Sequence, residues 1–309
     1  MDIKLSYACN NNCVHCVVAD QRVGALEKRG RDFRTTAEVV AELESAAARG
    51  FEVVTFTGGE PTLRKDLPLL VKRARDLGLA VGLQTNARVL AYGPARAALL
   101  KMDVRFVVAV HGPDKEIHDA VTRAPGSFDQ TIEAVRRLTE AGEKVTGKVV
   151  ISRLNSAVLP DIAQVLVRAG AHRVNFTFPH GLGNAASDFE GVVPRYRDVI
   201  GPLRRAASIV SEGGGLAVTE AVPLCILGEL ADIASENLYR RYYRSEVRQL
   251  DQEPRDWSRD RLVEGKSKPQ SCSQCILDNR CEGVWKEYLE TFGGEEMEPV
   301  TRPDDGAEP

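Results

Sequence analysis

Cys9-Asn10-Asn11-Asn12-Cys13-Val14-His15-Cys16 places three thiols on one short loop, spaced C-x3-C-x2-C. Thiolate is the soft ligand that iron–sulfur centres prefer, and an ordinary closed cluster takes four cysteines. The next cysteine along the chain is Cys225. Three ligands on one loop would therefore leave one iron open, where a substrate or cofactor can bind and react. Two plainer readings stand beside this one: a zinc site completed by His15, and thiols buried for packing.

Outward from that loop the chain alternates between two kinds of segment. Residues 2–8 read as a short strand that delivers Cys9 to its carboxyl end, and 17–34 reads as a polar loop. A helix follows from Thr35, with Thr36 as N-cap candidate, Val39, Val40, Leu43 and Ala47 on one face, and Gly50 as its stop. Strands are expected at 51–57, 80–85, 104–110, 144–151 and 173–178. Helices are expected at 66–77, 94–101, 128–141 and 159–169, several ended by glycine. Apolar strands alternating with amphipathic helices predict an α/β fold, a parallel sheet with helices outside. In such folds the chemistry gathers at the carboxyl ends of the strands. Cys9, Gly58, Asn86, His111, Arg153 and His180 all fall there.

A second motif joins the cysteines. Thr57-Gly58-Gly59-Glu60-Pro61 follows the apolar run Val53-Val54-Thr55-Phe56. The two together resemble the signature of the radical S-adenosylmethionine (SAM) enzymes. The resemblance implies a partial (β/α)6 barrel and an open [4Fe–4S] cluster on Cys9, Cys13 and Cys16 that chelates SAM. It implies that Thr57, Gly58, Gly59 and Glu60 lie against the SAM amino group, because a bare backbone permits close approach and a carboxylate pairs the charge. Asn86 stands where the family often has Thr-Asn-Gly, with Ala87 replacing the glycine. His111 stands where the family often places a ribose contact, although a histidine satisfied at the core edge fits as well. The family usually carries an aromatic residue before the third cysteine; here it is His15, whose flat ring suits packing against adenine. His118 and Asp119 read either as an acid–base pair or as a helix cap.

Beyond Pro179 the pattern changes. A helix is expected at 196–212, then Gly213-Gly214-Gly215 and a short strand at 216–219 leading to Cys225. Tyr239, Tyr242 and Tyr243 lie among Arg240, Arg241 and Arg244, a mixture that suits either an anionic substrate or a solvated helix face. Cys272, Cys275 and Cys281 follow in the spacing C-x2-C-x5-C. With Cys225 they offer four ligands for a closed [4Fe–4S] cluster or for zinc. Cys281-Glu282-Gly283-Val284-Trp285 resembles the tail of the twitch and SPASM subgroups, which add an auxiliary cluster. A full SPASM domain has seven cysteines, so four favour the twitch form. That resemblance leaves Cys225 two roles, fourth ligand or hydrogen-atom donor to a substrate radical.

These readings divide the chain into a barrel (1–190), an auxiliary-cluster domain (191–301) and a disordered tail (302–309). The 309 residues are 43% hydrophobic and 28% charged, with a net charge of −3, an ordinary globular composition that argues against nucleic acid as main partner. No apolar run approaches the ~20 residues of a membrane span, and no signal segment opens the chain, so a cytoplasmic location is expected. Seven cysteines there point to metal sites and away from disulfides. The expected activity is reductive cleavage of SAM to a 5′-deoxyadenosyl radical that takes a hydrogen atom from a peptide or peptide-like substrate. A small sugar, aminoglycoside or cofactor precursor is the alternative substrate, and a non-catalytic iron–sulfur electron-transfer protein the alternative class. The resemblance also implies an external electron donor such as flavodoxin or ferredoxin.

Overall fold

Seven strands run parallel and in chain order across one sheet: β1 (Asp2–Ser6), β2 (Val53–Gly58), β3 (Ala80–Thr85), β4 (Val104–Ala109), β5 (Val145–Val150), β6 (Arg173–Thr177) and β7 (Leu216–Glu220). They belong to a computed structural model that describes residues 1–237 and 245–301. The first six lie within two residues of the predicted positions. The sheet then extends past residue 190 at both edges. β7 pairs with β6, while β8 (Glu246–Arg248) pairs parallel with β1 and carries β9 (Arg255–Asp256) antiparallel outside it. β10 (Lys266–Ser267) and β11 (Val284–Trp285) form a separate antiparallel pair.

The strands are not apolar throughout, as the sequence reading took them to be. Ile3, Phe56, Leu83, Phe106, Val149 and Phe176 are fully buried on one face. Lys4, Thr55, Gln84, Lys148, Asn175, Thr177 and Glu220 alternate with them and are only partly covered. The physical reason is one-sided cover. A Cβ added at Gly147 would meet Leu166 of the helix Leu159–Arg168 at 2.6 Å, so that face belongs to the helices. The other face turns inward, and a period of two assigns it polar residues.

The helices follow the predicted order: α1 (Gln21–Arg29), α2 (Thr36–Ala48), α3 (Leu67–Asp76), α4 (Gly93–Ala97), α5 (Lys115–Thr122), α6 (Ser127–Glu140) and α7 (Leu159–Arg168). Two of them, α1 and α5, stand where no helix is expected from the sequence. Only Ala25 of α1 is buried, so the segment has no apolar stripe to read. The N-cap of α2 is Thr35, one residue before the predicted Thr36. Thr35 Oγ1 accepts the Glu38 amide at 3.2 Å, and Glu38 returns a bond to the Thr35 amide at 2.7 Å, a capping box.

The carboxyl-terminal segment shares the main core. Tyr288, on the helix Lys286–Phe292, lies 4.5 Å from Tyr196, which stacks on Phe178 at 4.1 Å beyond the end of β6. Trp285, Tyr288 and Phe292 belong to the same buried cluster as the sheet. The arginine–tyrosine stretch 239–244 and the tail 302–309 lie outside the described residues. Among the described residues no helix is long and apolar enough to cross a membrane.

Candidate metal centre

The cysteine loop leaves the carboxyl end of β1 and is pinned on three sides. Toward α5, the amides of Asn12 and Val14 donate to the carbonyls of Thr122 and Val121, each at 2.9 Å. Beyond β6, Asn184 donates from its amide to the Cys16 carbonyl (3.0 Å) and from Nδ2 to the Cys13 carbonyl (2.8 Å). Gly183 permits that approach, since its φ is +58° and a Cβ there would sit 2.1 Å from the Cys16 oxygen. After β3, Arg88 binds the Asn10 carbonyl and the Asn11 side chain. Arg88 and Asn184 escaped the sequence reading because nothing local marks them.

Gly58 and Gly59 close the remaining side. A Cβ on Gly58 would meet the Ser6 oxygen at 2.3 Å, and one on Gly59 the Ala8 oxygen at 2.1 Å. The amides of Gly59 and Glu60 donate to those same two carbonyls at 2.7 and 2.8 Å. The glycines thus lay the end of β2 directly against the residues that lead into Cys9. Glu60 is 1% exposed. Its Oε1 accepts from Thr62 N (2.9 Å), Thr62 Oγ1 (2.6 Å) and Thr85 Oγ1 (2.6 Å), and its Oε2 from Asn86 N (2.7 Å). Burial raises its pKa although all four bonds pull the other way. Thr57 is buried beside it. Asn86 passes the link on, donating from Nδ2 to Asn10 Oδ1 at 2.7 Å and lying 3.8 Å from Cys9 Sγ. Ala87, which replaces the glycine of the Thr-Asn-Gly pattern, has a left-handed φ of +59°.

The thiols show what a metal would change. Burial pushes Cys9 up to about 11 and Cys13 up to about 12, with the neighbouring cysteines adding to the rise. Thiolates in such a place need a cation, which deprotonates a coordinating thiol. His15 and His111 pack behind them with ring centroids 4.6 Å apart. One ring nitrogen of each and Cys13 Sγ lie within 4.8 Å of one another. A single tetrahedral zinc holds its ligand atoms within about 4 Å of each other. Among the described residues no three of the seven thiols converge that tightly. Cys9, Cys13 and Cys16 offer three soft thiolate ligands on one loop, the donor type that iron–sulfur centres take. Asp119 is a cap: its oxygens accept from Gly126 N (2.6 Å), Ser127 Oγ (2.8 Å) and Phe128 N (2.9 Å). His118 accepts from the His111 amide at 3.1 Å.

The other four cysteines come from two parts of the chain. Cys225 follows β7, and its thiol is pushed up to about 12, by burial first and then by the charges of Cys281, Cys272 and Cys275. Next to Cys281, a buried ion network ties the segment to the sheet. Arg261 reaches Glu220 (3.2 Å), Glu236 (3.1 Å) and Glu282 (2.8 Å), and Lys266 reaches Glu282 (2.9 Å). Lys148 pairs with Glu220 at 3.2 Å. Burial would raise the Glu220 pKa, but Lys148 and Arg261 outweigh it and hold the group at about 2. His180 stacks on Trp285 at 3.8 Å beside this network.

Residues 3–166 match the family model described as Radical SAM superfamily. An AdoMet-dependent heme synthase of Nitratidesulfovibrio vulgaris is 27% identical over 201 residues, 64% of this chain and 53% of that protein. The PqqA peptide cyclase of Bradyrhizobium diazoefficiens is 27% identical over 230 residues, 72% of this chain and 57% of that protein. The chain spans about half the length of the curated relatives it matches. Among solved structures, Streptococcus suis SuiB bound to S-adenosylmethionine has a similar fold. Its TM-score is 0.69 at 16% identity, over 97% of this chain and 76% of SuiB.

Proposed function

The chain belongs to the radical SAM superfamily, and from that premise we propose that it is a twitch/SPASM-like radical SAM enzyme that modifies a peptide. The observation that carries this is the joining of the two motifs. Gly59 and Glu60 donate to Ser6 and Ala8, which lead into Cys9, and Asn86, bound to Glu60, donates to Asn10 within the cysteine loop. On this reading the three cysteines hold a [4Fe–4S] cluster, and Thr57 to Glu60, Asn86 and His111 frame bound SAM. Cluster and SAM together supply a 5′-deoxyadenosyl radical that removes a hydrogen atom from an unactivated carbon. The chain's own part is to hold the cysteine loop rigid, to orient the substrate over the polar inner face of the sheet, and to keep water out.

Cys225, Cys272, Cys275 and Cys281 would hold an auxiliary [4Fe–4S] cluster, with residues 1–190 as the barrel and 191–301 as the auxiliary-cluster part. Reducing electrons would come from an external carrier of the flavodoxin or ferredoxin kind. The likeness to a PqqA peptide cyclase supports a peptide substrate. The likeness to a heme synthase favours a second reading, the same chemistry on a cofactor precursor. The test uses anaerobically reconstituted, reduced protein. Adding SAM should perturb the EPR signal of one cluster and release 5′-deoxyadenosine. Changing Cys9, Cys13 and Cys16 together to Ala should abolish both, and a triple variant that still cleaves SAM would overturn the proposal.

A further inference from the structure

Three histidines stand in a row behind the cysteine loop, and backbone amides decide which nitrogen of two of them carries the proton. The Val150 amide donates to Nδ1 of His111 at 3.3 Å, and the His111 amide donates to Nδ1 of His118 at 3.1 Å. A ring nitrogen that accepts a hydrogen bond holds no proton, so the proton of each neutral ring sits on Nε2. His111 is held in place from behind as well, because Asn155 Nδ2 donates to its carbonyl at 3.0 Å. His15 meets His111 edge-on at 75°, and its Nδ1 is buried with no hydrogen-bond partner. A buried polar nitrogen without a partner is costly. The Cys13 sulfur lies within 4.8 Å of one ring nitrogen of each of His15 and His111.

We propose that His111, together with His15, hydrogen-bonds to the Cys13 sulfur once that sulfur ligates iron, and so raises the reduction potential of the SAM-binding cluster. This rests on the radical SAM reading above. An N–H aimed at a ligating thiolate offsets part of its negative charge, which favours the more electron-rich reduced state. The effect is that of positioning residues acting through a ligand, and a reduction potential reports it directly.

The experiment is an EPR-monitored reductive titration of the full reconstituted chain without SAM, following the signal that SAM perturbs in the parent. His15→Phe and His111→Phe should keep their iron at this site and titrate at more negative potentials than the parent. The double variant should shift further, and His111→Gln, which keeps an N–H donor, should return toward the parent. Phenylalanine variants with full iron and the parental potential would overturn the inference. So would loss of the cluster from both single variants, because the histidines would then be ligands or scaffold. Should the parent show no SAM-responsive signal, the radical SAM reading falls and this inference with it. A SAM-responsive signal indifferent to both histidines removes only this inference.

Discussion

Glu60 shows how a residue can be legible in type and illegible in place. A carboxylate after two glycines was readable because the motif is local. Its partners were not, since Thr85 and Asn86 lie on the next strand and meet Glu60 only when β2 and β3 pair. The carboxylate fastens the glycine turn to the end of β3, and through Asn86 to the cysteine loop. Glu60→Gln keeps the shape but turns one acceptor into a donor facing the Asn86 amide or the threonine donors. Breaking one or two charge-assisted bonds should lower stability by about 1–3 kcal/mol and weaken SAM binding about ten- to a hundredfold. Denaturant unfolding and calorimetric SAM titration check the two halves separately. An unchanged unfolding midpoint would deny the fastening role, and an unchanged affinity would place Glu60 outside the SAM site.

Among the elements, those with a strong period were read and those held by single contacts were not. β2 to β6 announced themselves through apolar runs between amphipathic helices, several of which end in glycine. α5 did not, because Gly112 and Pro113 ahead of it read as a loop, and its cap is a single bond from the Ile117 amide to Asp114 at 2.9 Å. β8 is three residues long and finds its place by pairing with β1 and β9, strands distant from it or too short to read. The charged stretch after Cys225 hid another arrangement, since nothing in the spacing of Glu220, Glu236, Arg261 and Glu282 shows that they meet. Arg261 is 5% exposed and binds all three carboxylates, joining β7 to the segment that carries Cys281. Arg261→Met keeps the volume but leaves those carboxylates short of a cation in a buried place. That should cost about 3–5 kcal/mol and appear as a lowered unfolding midpoint, with early hydrogen exchange in 282–292. A variant as stable as the parent would mean that Lys148 and Lys266 balance the cluster unaided.

At the scale of the whole molecule, the question is what binds the carboxyl-terminal segment to the sheet. The aromatic contact of Phe178, Tyr196 and Tyr288 and the Arg261 network are two ties. On the proposed reading the auxiliary cluster is a third, because Cys225 comes from the end of β7 and its three partners come from residues 272–281. Two [4Fe–4S] clusters give about eight irons per chain. If Cys225 is a ligand, Cys225→Ala leaves a three-thiol site that should lose iron on desalting, toward about four per chain. The folded state should weaken as well, since binding energy at such a site is folding energy. If Cys225 is instead a hydrogen-atom donor, the variant keeps both clusters and still cleaves SAM, but leaves the substrate radical unquenched. In deuterated water only the donor role carries solvent deuterium onto the product carbon through this exchangeable thiol. A closed cluster takes four thiolates, and Cys225, Cys272, Cys275 and Cys281 are the four cysteines outside the amino-terminal loop, which favours the ligand. The expected outcome is therefore iron loss with destabilisation, measured by iron assay and unfolding on the same preparation. Full iron retention with a trapped substrate radical would reverse the assignment and make the reaction an epimerisation.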